Sequence, residues 1–275
     1  MTDTSAPEAA VARMYERTTA LVERIWGPNL HFGYWTGPFD DSDKDRAQER
    51  LTDLMIERVP LAPGRRLLDV GCGVGHPALR FARETGAGVV GVTIAPGQVA
   101  SATDAARREG LQDRVAFELA DAAALPFPDD SFDGAWALES MPHMPDRAAV
   151  LREVARVLRP GSRLAITDVA RCGPLSERQQ RDLREQMLIT APPRAELMAL
   201  LGAAGFDVLE TVDITTSTLR TTELTRQALV GSADELSRLY GAATVEHMAR
   251  ILDVYDEAVR TGVEYLLITA SVGEA

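Results

Sequence analysis

The feature that most constrains this chain is a glycine-rich junction between a buried apolar run and a helical segment, LLDVGCGVGHPALRFA, at residues 67–82. Gly71, Gly73 and Gly75 follow one another at the turn. Glycine permits left-handed backbone and lets the main chain approach a ligand closely. In open α/β sheets, such a turn lies at the carboxyl edge of the strands, where ligands bind. The junction therefore predicts an α/β fold with a ligand at this turn.

The flanking sequence repeats the strand–helix pattern. Short apolar runs alternate with helical segments of about ten to fifteen residues, which is typical of a parallel sheet with helices on both faces. We predict an α/β fold with a doubly wound, seven-stranded, mainly parallel, Rossmann-like sheet. The predicted strands cover residues 65–71, 87–94, 114–120, 132–140, 162–169, 207–215 and 263–272.

Two parts of the chain interrupt this alternation. Residues 1–60 are predicted to form N-terminal lid helices, at 8–26 and 45–59, joined by the aromatic loop GPNLHFGYWTGPFDD. The main domain is predicted to span 61–275, with polar helical cap insertions at about 171–191 and 217–261. The cap offers Met187, Leu188, Ile189 and many threonines, which predicts an apolar acceptor pocket with scattered hydroxyls.

Composition excludes several classes of partner. Twenty-nine basic residues against 41 acidic ones leave a formal net charge of −12, whereas nucleic-acid binding requires a basic surface. No apolar run approaches membrane-spanning length and no basic, then apolar, leader begins the chain, so we expect a cytoplasmic protein without a membrane partner. Cys72 and Cys172 are not in metal-ligand spacing, and we predict no metal.

The spacing of the glycines argues against a dinucleotide. The third glycine comes two residues after the second, so the G-x-G-x-x-G fingerprint is not met. Asp69 precedes the first glycine by two residues, where a carboxylate could hold an ammonium group and would repel a pyrophosphate. Asp121 follows a later strand, where it could accept a hydrogen bond from an exocyclic amine such as that of adenine, or could cap a turn.

The motifs LDVGCGVG, LADAAALPFPDDSFD and LRPGSRLAITD, in that order, resemble those of the class I S-adenosylmethionine-dependent methyltransferases. The resemblance covers residues 66 to about 170. The segments IWGPNLHFGYW and WALESMPHMPD further resemble the small-molecule branch that includes the rebeccamycin sugar O-methyltransferase. That branch also contains C- and N-methyltransferases and cyclases that kept the fold.

The resemblance implies S-adenosyl-L-methionine as cofactor and assigns its contacts. The glycine turn would hold the methionine part, Asp121 and Ala122 the adenine, and the N-terminal lid the carboxylate. Many relatives end the second strand with an acidic residue for the ribose, whereas this chain has VTIAPGQ. The implied cofactor-binding residues are Tyr15, His31, Tyr34, Asp69, Gly71, Gly73, Gly75, Thr93, Ile94, Gln98, Asp121, Ala122 and Leu138.

The candidate catalytic residues are His143, Asp168 and Glu139. Rebeccamycin-type enzymes have two adjacent histidines in this segment, and one of them is the favoured base. Here Pro142 replaces the first, and only His143 remains. Asp168 could orient His143, act as the base itself, or cap a strand end, and His143 could instead be a cofactor-side or structural residue.

Together these features predict methylation of a small, largely apolar specialised metabolite, with a hydroxyl acceptor favoured. Carbon methylation of an indole or isoprenoid is the first alternative, because an electron-rich carbon needs little help from a base. A cyclase that retains the cofactor as a structural element is the second. The resemblance also implies that a homo-oligomer is possible.

Overall fold

The computed structural model describes residues 6–27 and 29–273, except for the side chains of residues 6–9 and 15–18. The strands are β1 (Arg66–Val70), β2 (Gly88–Thr93), β3 (Val115–Leu119), β4 (Phe132–Leu138), β5 (Leu158–Arg171), β6 (Phe206–Asp213) and β7 (Val263–Val272). The helices are α1 (Ala6–Trp26), α2 (Lys44–Arg58), α3 (His76–Thr85), α4 (Pro96–Arg108), α5 (Arg147–Val157), α6 (Glu177–Gln186), α7 (Arg194–Ala203), α8 (Thr215–Thr218), α9 (Arg220–Gly231), α10 (Ala233–Tyr240) and α11 (Ala242–Thr261). A short 3₁₀ helix, Met141–His143, follows β4.

The strands form one sheet in the order β3-β2-β1-β4-β5-β7-β6. β1 to β5 pair in parallel, and β7 runs antiparallel to both of its neighbours. This confirms the predicted α/β class and mainly parallel sheet. The strand order reverses between β1 and β4, and the crevice beyond the carboxyl ends of those strands is where such folds bind ligands.

The central strands are apolar because both of their faces are covered. Successive residues of a strand point to opposite faces, so Leu67 of β1 joins the core on one side of the sheet and Leu68 the core on the other. Trp136 of β4 is fully buried and packs edge-on against Phe81 of α3, with ring centroids 5.0 Å apart. This double packing fixes the strand ends that build the crevice.

One boundary differs from the sequence prediction. The segment DRAAVLREVARVLRPG predicts a helix with a Pro-Gly stop, followed by the strand over 162–169, whereas α5 ends at Val157 and β5 spans Leu158–Arg171. Pairing with β4 already begins at Leu158, and pairing with β7 continues to Arg171. Pro160 and Gly161 are the poorest helix formers, so the helix ends before them and the chain pairs with its neighbouring strands instead.

The aromatic loop between α1 and α2 is tied to the helices that precede β7. Its Gly33 N–H donates to the Thr221 hydroxyl at 2.9 Å, and its Trp35 N–H donates to the Ser217 carbonyl at 2.9 Å. Within the described part of the chain, every helix is too short or too polar to cross a membrane.

Candidate active site

A cleft lies at the carboxyl edge of the sheet, around the reversal of strand order. Its walls come from the glycine turn, the ends of β2, β3 and β4, the 3₁₀ helix and the aromatic loop. The predicted site residues that line it are His31, Asp69, Gly71, Gly73, Thr93, Ile94, Gln98, Asp121, Ala122, Leu138, Glu139 and His143.

The three glycines of the turn have different surroundings, although all have positive φ. A Cβ atom on Gly71 would collide with the Ser140 side chain, and one on Gly75 would lie 2.6 Å from the ring of Phe117. A Cβ atom on Gly73 would meet nothing closer than Leu30, at 4.0 Å. Gly71 and Gly75 therefore allow the turn to pack, whereas Gly73 presents bare backbone to the open cleft, as a site for a closely bound cofactor requires.

Asp69 lies near the end of β1, buried at the base of the cleft. Burial raises its carboxyl pKa to about 7, and the neighbouring Trp136 side chain opposes that rise. A cation bound in the cleft would favour the ionised carboxylate. The position therefore suits an ammonium group, as the sequence predicts.

The end of β2 carries a fixed polar pair. The Thr93 hydroxyl donates to the Gln98 side-chain oxygen at 2.7 Å, and the Ala95 N–H donates to the Thr93 hydroxyl.

Asp121 both caps a turn and lines the cleft. One of its carboxylate oxygens accepts from the Ala123 N–H at 2.8 Å. Both interpretations of Asp121, as turn cap and as cleft residue, therefore agree with its geometry.

The predicted cofactor-binding residues of the lid differ in where they lie relative to the cleft. His31 lines the cleft, but both of its ring nitrogens are engaged: Nδ1 donates to the Phe32 carbonyl at 2.8 Å, and Nε2 accepts from the Thr52 hydroxyl at 3.1 Å. Burial lowers the pKa of His31 to about 4, so the ring is neutral. Tyr34 packs against the core outside the cleft lining. The side chain of Tyr15 lies outside the described residues.

His143 ends the 3₁₀ helix and lines the cleft. Its Nδ1 lies 3.1 Å from the Leu188 carbonyl. Since a carbonyl only accepts, Nδ1 carries the proton and, in the neutral ring, the lone pair is on Nε2. Burial lowers the pKa of His143 to about 4, and the Arg147 charge acts in the same direction. His143 is therefore a neutral imidazole at physiological pH.

Glu139 follows β4 with an unusual left-handed backbone, φ 57°. Its carboxylate accepts from the Phe32 N–H at 2.5 Å and from the Tyr265 hydroxyl, and its own N–H donates to the Thr167 hydroxyl. Burial raises its pKa to about 8, against these two hydrogen bonds. The result is a buried carboxyl group of near-physiological pKa at the edge of the cleft.

Asp168 does not line the cleft. Its carboxylate is buried in an ion pair with Arg147, with N–O distances of 3.1 and 3.2 Å. Arg147 also donates to the Thr190 carbonyl at 2.8 Å. Because Leu188, two residues earlier, holds His143, the ion pair anchors the loop that orients the imidazole. The structure thus buries Asp168 against Arg147, outside the lining of the cleft.

Sequence reasoning missed Arg147 and Tyr265, the partners of two predicted catalytic carboxylates. Arg147 begins a helix directly after the proline-fenced segment, and Tyr265 sits in the final apolar run. Neither has a local signal, because each contact joins elements that are distant in the sequence. No group of three or more potential metal ligands occurs among the described residues.

A doubly wound sheet with a glycine turn open to a cleft at its switch point defines a Rossmann-like enzyme that binds a nucleoside-type cofactor. Residues 68–166 match the family model described as a methyltransferase domain. The chain is 43% identical over 212 residues to "Methyltransferase GfsG" of Streptomyces halstedii, covering 76% of each protein. It is 35% identical over 274 residues to "(+)-O-methylkolavelool synthase" of Herpetosiphon aurantiacus, covering 98% of this chain and 97% of the relative.

Among solved structures, the [4+2]-cyclase SpnF is 35% identical, with a TM-score of 0.85 over 96% of each chain. The chain therefore belongs to the class I S-adenosylmethionine-dependent methyltransferases, and S-adenosylmethionine is its cofactor. This confirms the family and cofactor predicted from the sequence.

Proposed function

We propose that the protein transfers the methyl group of S-adenosylmethionine to a hydroxyl oxygen of a small, largely apolar specialised metabolite. The observation that supports this most strongly is that the exposed backbone of Gly73 and the Glu139 carboxyl line the same cleft. Much of the remaining lining is apolar, including Val11, Leu30 and Met144. The name of the kolavelool relative describes an O-methylated product, which supports the same reaction.

The cofactor supplies an electrophilic methyl group on a sulfonium when it is bound. In the proposed arrangement, Asp69 holds its ammonium group and Gly73 allows the backbone to lie against its methionine part. Thr93 and Gln98 face the ribose, and Asp121 faces the adenine. These residues align the methyl group with the acceptor, and such alignment is worth up to about 7–11 kcal/mol of barrier.

Glu139 is the proposed proton acceptor. A pKa of about 8 makes its carboxylate a much stronger base than His143, whose pKa is about 4. A nearby cationic sulfonium favours an ionised carboxylate and disfavours an imidazolium. His143 is then a neutral imidazole in the wall of the cleft, and the Asp168–Arg147 pair is a positioning element for the loop that holds it. A positioned base contributes about 10²–10⁴-fold.

A cyclase is the second candidate function, and the SpnF similarity over 96% of the chain favours it specifically. In that case the cofactor would remain intact and the same cleft would shape the acceptor. Carbon methylation of an indole or isoprenoid would use the same cofactor contacts, with less need of Glu139.

The test is incubation with S-adenosylmethionine carrying a ¹³C-labelled methyl group and an organic-solvent extract of the cells that make the protein. NMR of the labelled product then locates the new carbon. We expect it on oxygen. A label attached to carbon would refute the hydroxyl assignment while keeping methyl transfer, and an absence of labelled product would count against transfer itself. Glu139→Gln serves as a variant that keeps the Phe32 contact but removes the base.

A further inference from the structure

Tyr255, on the long helix α11, has a buried hydroxyl that lacks a protein partner. The residue is 3% exposed, and no described residue forms a hydrogen bond with its hydroxyl oxygen. Buried hydroxyls are nearly always hydrogen-bonded, because an unsatisfied one loses its hydration without compensation. Nothing in the folding of α11 requires this oxygen, since a phenylalanine would fill the same space.

A second hydroxyl of the same kind lies on the facing helix. Thr225 of α9 is fully buried, and its hydroxyl also has no partner among the described residues. The next residue, Arg226, pairs with Asp253 at 2.7 Å and Asp256 at 2.9 Å on α11, so the two helices cross at this level. Thr225 is therefore next to Arg226 in the sequence, and Tyr255 is next to Asp256. The pair Arg226–Asp256 joins α9 to α11.

Tyr255 lies one residue away from Glu139 at the edge of the cleft, through Phe32. The Phe32 ring packs against Tyr255, with centroids 5.0 Å apart, and against Tyr265 at 5.4 Å. The N–H of Phe32 donates to Glu139, which lines the cleft. Burial and the Glu139 charge raise the pKa of Tyr255, so its hydroxyl keeps its proton and can donate. Phe32 of the lid loop thus contacts Tyr255 through its ring and Glu139 through its N–H.

We propose that the Tyr255 hydroxyl, with that of Thr225, is the polar anchor of the acceptor subsite, reached when the Phe32 ring rotates about its side-chain bonds while its N–H stays on Glu139. It hydrogen-bonds a second oxygen of the acceptor, a carbonyl or hydroxyl distinct from the one that is methylated. The acceptor class is therefore an apolar metabolite with at least two oxygens. This inference rests on the proposed methyl transfer.

Tyr255→Phe tests the anchor in two independent measurements on the full-length protein. The first is the urea midpoint of unfolding without acceptor, which we expect to stay equal or rise, because an uncompensated hydroxyl is removed. The second uses S-adenosylmethionine with a tritiated methyl group and dilutions of the organic-solvent extract. We expect the half-saturating amount of extract to rise about 2- to 12-fold, the worth of one hydrogen bond.

Tyr240→Phe is the matched control, because the Tyr240 hydroxyl is in the same helical region and donates to the Ala20 carbonyl at 3.4 Å. It should leave the half-saturating amount unchanged. Thr225→Val repeats the test with a nearly isosteric change, should Tyr255→Phe fold poorly. A lowered urea midpoint for both variants would show that the hydroxyls are satisfied within the fold, for example by a structural water, and would overturn the proposal.

An unchanged half-saturating amount for both variants would also overturn it, while labelled product from the wild type would leave methyl transfer standing. Absence of labelled product from the wild type would instead refute the proposed function, and the anchor with it. The two failures are therefore distinguishable.

Discussion

Gly73→Ala is the most direct perturbation of the cofactor site. Its added methyl group would meet no protein atom closer than 4.0 Å, whereas the same change at Gly71 or Gly75 would strike packed side chains. The variant should therefore fold, and its methyl group should project into the space that the cofactor needs. We expect a loss of cofactor affinity without loss of the fold.

The magnitude has two parts. Gly73 has φ of 53°, in the left-handed region, and placing an L-residue there costs about 1–2 kcal/mol of folding free energy. An extra methyl group in a close-packed contact costs about 1–3 kcal/mol. Converted at about 1.4 kcal/mol per tenfold change, the second cost weakens cofactor binding by about 5- to 150-fold.

Calorimetry with S-adenosylhomocysteine measures this affinity, and urea unfolding measures the folding cost. Gly110→Ala is the matched control, because Gly110 also has positive φ, 69°, with open space around its Cβ position and no place in the cleft. It should show the folding cost alone. Equal affinities of Gly73→Ala and wild type would refute the assignment of this turn to the cofactor.

Three further predictions address the carboxylates. Arg147→Met leaves Asp168 buried and unpaired, and should lower the unfolding free energy by about 3–5 kcal/mol in urea titrations; a change below about 1 kcal/mol would contradict a buried ion pair. Glu139 has its pKa raised from 4.5 to about 8, so its stabilising contribution is present below about pH 4.5 and is lost as pH rises through 8. Glu139→Gln should therefore gain stability over wild type from about pH 5 to about pH 9 in urea midpoints, and a constant difference would refute the raised pKa. The pKa of Asp69 is raised to about 7, so wild-type affinity for S-adenosylhomocysteine should increase as pH rises through that value, and Asp69→Asn should flatten the profile measured by calorimetry; a wild-type profile that is already flat would argue against an ammonium contact.

Much of the fold follows from short-range signals. Strand-length apolar runs and capped helices repeat along residues 66–170, and their alternation allows few topologies other than a doubly wound sheet. The position of the cleft follows as well, because a glycine turn after the first strand marks the switch point. The predicted extent of β5, residues 162–169, was wrong. Backbone pairing at the two ends of this strand depends on the neighbouring strands and not on the segment's own sequence.

The roles of individual site residues were harder to predict from the sequence. Gly71, Gly73 and Gly75 are equivalent in the sequence, and only their surroundings separate packing from ligand access. The sequence correctly put Asp168 on the strand beside β4, but the partner that removes it from the cleft, Arg147, comes from a helix start. Tyr265 reaches Glu139 from the last strand, 126 residues along the chain, so no local pattern could predict it.

The central claim is transfer of a methyl group in this cleft, and its stoichiometry tests that claim most directly. The protein should be incubated with S-adenosylmethionine and an organic-solvent extract of the cells that make it, and the products should be measured by mass spectrometry. We predict one S-adenosylhomocysteine formed for each metabolite that gains a methyl group, and a parallel decrease of both products in Gly73→Ala when S-adenosylmethionine is limiting. A metabolite that is transformed at unchanged mass, without S-adenosylhomocysteine, would contradict methyl transfer and favour the cyclase alternative.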